Sequence, residues 1–307
     1  MEFYNNWLVG LDMTETDSFI MQNIASLGNL HKPEKITILH VVDPPDLPKE
    51  VIMEIPDLHL PELLHFENRI REMVSEYDLE GDIEIVVREG HPLTVILETL
   101  DSGNHDLIVI GKKGKEGSVE RKIARKAGIS ALFIPEKQID LKHILVPVDF
   151  SEHSKLALDV AAGIASKVED VSCLHVYRDS SKYISQVVET LDDVQNLIDQ
   201  RNILDQKLAA YAEHKLNQTM SEYPHFKPHV YLEGINKTFD IGDFICEWAA
   251  KHPADMVIIG ARGKTSAAAA LLGAVSEQVF LGLSDRLMLM VKKPGENVSL
   301  IKALLRK

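Results

Sequence analysis

Residues 106–114 read DLIVIGKKG and residues 255–263 read DMVIIGARG. Each stretch is an aspartate, four apolar residues, a glycine, two more residues and a second glycine. Four apolar residues closed by glycine fit a strand buried on both faces, followed by a turn. The same agreement extends outward. WLVGLD at 7–12 matches ILVPVD at 144–149, and ITILHVVD at 36–43 matches VSCLHVYRD at 171–179. IEIVVREG at 83–90 matches HVYLEG at 229–234, and SALFIP at 130–135 matches RLMLMV at 286–291. Five matched segments in one order make the chain an internal repeat.

Helical periodicity fills the gaps between these strands. Residues 152–166 place Leu156, Val160, Ala161 and Ile164 on one face, with Ser151 as N-cap. Residues 61–77, 91–101 and 238–251 read the same way. Alternating strands and helices predict right-handed crossovers and a doubly wound α/β sheet of five parallel strands in each half. The predicted boundary lies in the polar stretch EKQIDLK at 136–142, giving domains at 1–137 and 141–294 and a tail at 295–307. An insert at about 180–222 has heptad-like apolar spacing and predicts one long helix or a helical hairpin.

Composition narrows the function. At roughly 150 residues per domain, 307 residues suggest about two domains. The net charge of -14, from 47 acidic and 33 basic residues, argues against a polyanion-binding surface and hence against nucleic acid. No stretch approaches the ~20 apolar residues of a membrane span, so no membrane partner is expected. The start, MEFYNNWLVGLD, lacks the basic and apolar regions of a secretory signal. Cys173 and Cys246 stand alone, which disfavours disulfides and thiolate metal sites. A reduced, cytoplasmic protein is the expectation.

Ligands of open α/β sheets sit beyond the carboxyl ends of the strands, where strand order reverses. Asp149 closes the first strand of the second half and Gly260 closes the fourth. Gly260 and Gly263 let backbone approach a ligand closely. Gly273, Ala274 and Val275 would open the last helix with N–H groups at its positive end. Arg262 and Lys264 are suited to phosphate, and Asp149 to a ribose or base edge. His40 and His175 lie inside apolar strands and read as interior histidines. The histidines show no metal-site spacing. Ser151, His153 and Ser154 are too close in sequence to form a triad, and neither GxSxG nor GxxxxGK[ST] occurs.

The pattern Gly260-x2-Gly263-x9-Gly273, after DMVIIG and with VPVDFSEHS upstream at 146–154, resembles the universal stress protein family, in its tandem two-domain type. The resemblance implies a Rossmann-like, adenine nucleotide alpha hydrolase-like fold with strand order 3-2-1-4-5 in each half. It also implies ATP or another adenine nucleotide, with Mg2+ as an optional companion, bound in the second half as part of a stress response. Pro147, Val148 and Asp149 match positions at adenine and ribose, and Val176 matches a backbone contact to adenine. Gly260, Arg262, Gly263 and Lys264 match the loop around ribose and phosphates. Gly273, Ala274 and Val275 match the phosphate-binding helix start. The family usually has serine or threonine where this chain has Ala274.

The first half departs further, as G111-K-K-G114-K-E-G117-S118. Matched positions are offset by 149 residues at Gly111 and Gly260 and by 156 at the last strand, so seven residues are missing from the first loop. The first domain is thus expected to be a degenerate copy that pairs with the second as an intramolecular pseudo-dimer, with a homodimer as a further option. A ligand-binding regulatory module is the leading expectation. A ligand-free interaction scaffold and a slow ATP hydrolase stay open.

Overall fold

The computed structural model describes residues 4–43, 63–113, 119–178, 180, 190–233, 240–263 and 272–293. Gly114, Gly117, Ser118, Lys264 and the tail 295–307 lie outside the described residues. Contacts divide the chain into two units. Among the described residues, the first comprises 4–140 with Lys292 and Lys293, and the second comprises 141–291.

The first unit runs β1 (Asn6–Leu11), α1 (Thr16–Leu30), β2 (Lys35–Val42), α2 (Leu63–Ser75), β3 (Asp82–Glu89), α3 (Pro92–Ser102), β4 (Leu107–Gly111), α4 (Val119–Lys126) and β5 (Ser130–Ile134). Its strands are parallel, in the order β3-β2-β1-β4-β5. The order 3-2-1-4-5 implied by the family resemblance is therefore present. Register is fixed at the centre by Trp7, which faces Ile36 on one side and Leu107 on the other. Trp7 is fully buried, and its indole N–H donates to the Tyr4 carbonyl at 2.8 Å. β5 is buried along its whole length, whereas β3 alternates exposed and half-buried residues. On β3, charged side chains such as Glu84 and Arg88 are exposed and keep that edge wet.

The second unit repeats the scheme with β6 (His143–Pro147), α5 (Glu152–Ala162), β7 (Asp170–Arg178), α6 (Leu191–Met220), β8 (Lys227–Glu233), α7 (Ile241–Lys251), β9 (Met256–Gly260), α8 (Ala274–Gly282) and β10 (Leu287–Val291). Its order, β10-β9-β6-β7-β8, is the same topology counted from the other edge. Ser151 caps α5 as expected, its hydroxyl accepting the Ser154 N–H at 3.2 Å. α5 stops at Ala162, short of the predicted residue 166, and a 3-10 turn at Ala165–Lys167 follows Gly163. The periodicity continued because Ile164 is buried, but burial there comes from the turn. The sequence reading did not mark out α1.

The described insert is one helix, not a hairpin. α6 has 30 residues, about 45 Å of helix, and starts with a capping box between Thr190 and Asp193. Its last third buries Ala212, Leu216 and Met220. Its first half leaves Leu191, Val194, Ile198 and Ile203 exposed. No described helix is long and apolar enough to cross a membrane.

Candidate functional site

β6 and β9 are neighbours at the point where strand order reverses, and they pair only at Ile144 with Met256 and at Leu145 with Val257. The corresponding strands of the first unit, β1 and β4, pair at four positions, through Gly10 with Ile110. Pro147 stands where the first unit has Gly10. The next residue, Val148, turns its N–H to the Leu174 carbonyl of β7 at 2.8 Å. Successive residues of a strand point their N–H groups to opposite sides, so the N–H that Pro147 lacks is the one that would face β9. The ladder between the two strands therefore ends two positions earlier than in the first unit.

Asp149 follows the end of β6 by two residues. Its Oδ1 accepts the Ser151 N–H at 3.0 Å. The residue between them, Phe150, has φ +63°, a left-handed conformation that bulky side chains rarely adopt. Such strain persists only where surrounding contacts hold it. Here the Phe150 ring packs 4.4 Å from the ring of His175, and His175 donates from Nδ1 to the Val148 carbonyl at 2.7 Å. The histidine of the Leu-His-Val motif thus anchors the turn that presents Asp149. Val176, next to it on β7, is buried.

The second wall comes from the end of β9. A Cβ at Gly260 would lie 2.8 Å from the carbonyl carbon of His153 and 2.9 Å from its oxygen. Glycine is thus required there by close packing on α5. At Gly263 the nearest atom to such a Cβ is Asp149 Oδ2, at 2.5 Å. Gly263 therefore lies directly against the carboxylate, and Arg262 precedes it, half-buried. The Gly273 N–H donates to the Ala261 carbonyl at 2.8 Å, and Ala261 in turn donates to Val291 at 2.8 Å. These bonds hold Gly273 beside the end of β9. Gly273 is the N-cap of α8, Ala274 is exposed and Val275 is half-buried. Ser276 does not face this opening, because its hydroxyl donates to the Gly260 carbonyl at 2.7 Å.

Pro147, Val148, Asp149, Gly260 and Gly263 are thus brought together at the carboxyl ends of β6 and β9, with Val176 on the flanking strand and Gly273 bonded to Ala261. Phe150 and His175 belong to this arrangement as supports. The Leu-His-Val match signalled the histidine, while nothing in a phenylalanine signals a positive φ.

The first unit carries the same turn with different chemistry. Met13 takes the place of Phe150, with φ +62°, and His40 donates to the Leu11 carbonyl at 3.0 Å. The Asp12 carboxylate accepts the N–H and hydroxyl of Thr14 and is paired with the Lys113 ammonium. Burial by itself would raise Asp12, but hydrogen bonds from Lys113 and Thr14 outweigh it and hold the carboxyl below its ordinary value. Asp17 accepts the N–H groups of Asp12 and Met13, at 3.2 and 2.7 Å. Its burial, reinforced by the Asp12 charge, pushes its carboxyl up to about 6. Among the described residues, no group of three or more histidine, cysteine or acidic side chains gathers to hold a metal.

Comparison with known proteins agrees with this architecture. The model of the universal stress protein family matches twice, at residues 4–135 and 140–284. Universal stress protein MJ0577 of Methanocaldococcus jannaschii is 31% identical over 160 residues, which cover 50% of this chain and 95% of that protein. A universal stress protein structure from Archaeoglobus fulgidus superposes with a TM-score of 0.58 at 17% identity, covering 95% of this chain and 97% of the other. The PA1789 protein of Pseudomonas aeruginosa superposes with a TM-score of 0.64 at 14% identity, covering 99% and 97%. The two structural likenesses speak to the fold, and the double family match speaks to descent: the chain belongs to the universal stress protein family, with two family domains in tandem.

Proposed function

We propose that the second domain binds an adenine nucleotide, with ATP as the expected ligand, and that the protein acts as a nucleotide-responsive regulatory module in the cytoplasm. The observation that carries this reading is the meeting of Asp149 and Gly263 beyond the short β6–β9 ladder, where strand order reverses. Asp149 would accept from ribose, and the backbone at Val176 would meet the adenine edge. The N–H groups at the start of α8 and the Arg262 guanidinium would receive phosphate oxygens. Lys264 belongs to this set by sequence position. Mg2+ would arrive on the phosphates. Ala274 withholds one hydroxyl hydrogen bond, worth roughly 0.5–1.5 kcal/mol, which weakens affinity by up to about tenfold without removing the backbone donors. The chain's own residues act by binding and orienting.

Ligand binding to the folded state supplies the test. ATP at about ten times its dissociation constant is expected to add ~1.4 kcal/mol to the stability of the second domain, read as a thermal shift. Asp149→Ala and Gly263→Val are expected to weaken ATP by about tenfold or more, since each removes or displaces a charge-assisted acceptor. No shift in the parent protein at millimolar ATP would overturn the reading. That outcome would favour the scaffold alternative, for which the exposed apolar residues Leu191, Val194 and Ile198 of α6 speak.

A further inference from the structure

Helix α4 of the first domain, VERKIARK at 119–126, carries Arg121, Lys122, Arg125 and Lys126 in a chain of net charge -14. At roughly 3.6 residues per turn these four cations share one face of the helix. The opposite face, with Glu120, Ile123 and Ala124, is buried. Glu120 belongs to that inner side, its Oε1 accepting the Lys113 N–H at 3.2 Å. On the outer side Lys122 and Arg125 are exposed, and Arg121 and Lys126 are half-buried.

This spacing works against the helix that carries it. Arg121 with Arg125, and Lys122 with Lys126, are like-charge pairs four residues apart, which destabilise a helix. Arg121 also stands in the first turn, where the macrodipole disfavours a cation. Nor does the carboxyl end of α4 need these side chains as a cap, because the Lys292 ammonium donates to the Ala124 and Ala127 carbonyls, each at 2.7 Å. Lys122 and Lys126 have no carboxylate partner among the described residues. An anionic group laid along the outer face relieves both repulsions at once. A bilayer finds no apolar residue there to take up, since Ile123 and Ala124 are fully buried. A nucleic acid brings a long field of charge against an acidic protein. An acidic helix brings carboxylates only where the cations stand.

We propose that the outer face of α4 is a docking surface for an acidic helical segment of a partner protein, with carboxylates four residues apart set against the two cation pairs. The surface is independent of nucleotide binding in the second domain.

Fluorescence anisotropy of the full chain tests this with a fluorescein-labelled peptide, AEAAAEAAAEAAAEA, as probe. Saturable binding is expected, weakening as salt rises. The peptide with glutamine at every glutamate, and one of unchanged composition with its glutamates in a single block, are expected to bind at least about tenfold more weakly. Lys122→Gln and Lys126→Gln together are expected to weaken the probe by about tenfold, the scale of two exposed ion pairs. Lys207→Gln, at an exposed lysine of α6, leaves binding unchanged. The double variant keeps or exceeds the parent's urea midpoint, because it removes a like-charge pair. Four outcomes would overturn the proposal: no saturation at low salt, equal binding of either control peptide, unchanged affinity in the double variant, or tighter binding of oligothymidylate through the same lysines. Absence of ATP binding leaves all of these measurements in place, so the two readings fail separately.

Discussion

Gly260→Ala is expected to lower the unfolding free energy of the second domain by about 3 kcal/mol, at the upper end of what overpacking costs. The added methyl would meet the backbone of His153 at 2.8–2.9 Å, and backbone cannot rotate away. Relief requires α5 to shift as a body, which pulls on the Ser151 cap and on the strained turn at Phe150. Gly111 provides the control. There a Cβ would meet Thr16 Cγ2 at 2.8 Å and Ile20 Cδ1 at 3.3 Å, both side-chain ends that can change rotamer. Gly111→Ala should therefore cost clearly less, about 1 kcal/mol. Urea unfolding of the two variants reads the difference directly. Equal losses would show that glycine ends both strands for a reason other than helix packing.

Asp17→Asn is expected to change how stability depends on pH, by about 3 kcal/mol across the window from pH 7 to pH 4. The Asp17 carboxyl is pushed up to about 6 from an ordinary value of 3.8. The folded protein therefore takes up this proton near pH 6, whereas the unfolded chain does so only near pH 4. Between those values the folded state holds more protons, so this group stabilises as pH falls and destabilises as pH rises. Above pH 6 the parent carries a buried charge that the asparagine variant lacks. The variant's stability relative to the parent should thus be greatest at pH 7 and shrink by that amount toward pH 4. Chemical denaturation of both proteins at several pH values checks this, and parallel curves would contradict it.

Much of the site was legible as position but not as role. Pro147 was marked by its place before Asp149, yet its action is on β9, more than 100 residues away, and only the ladder register reveals it. Gly260 was read as room for a ligand, and the structure adds a packing demand from His153. Ser276, two positions beyond Ala274, has its hydroxyl committed to the Gly260 carbonyl. His40 and His175 were read as interior residues, and each is bonded to the carbonyl that precedes the strand-end aspartate. The positive φ of Met13 and Phe150 had no sequence signal, because neither residue favours that conformation and tertiary contacts impose it.

The amino-acid sequence by itself determined the repeat, the five parallel strands of each half and the glycines at their ends. Those features rest on local patterns: apolar runs of strand length, helical periodicity and glycines at strand ends. Tertiary structure alone decided that the two strand-order reversals differ in kind. In the second the ladder stops short at Pro147, and in the first a longer ladder lies beside a cavity lined by Asp12, Asp17 and Glu120. The physical reason is that shape and charge in a crevice depend on which side chains meet across it. Lys113 and Asp12, 101 residues apart, meet only after the chain has folded.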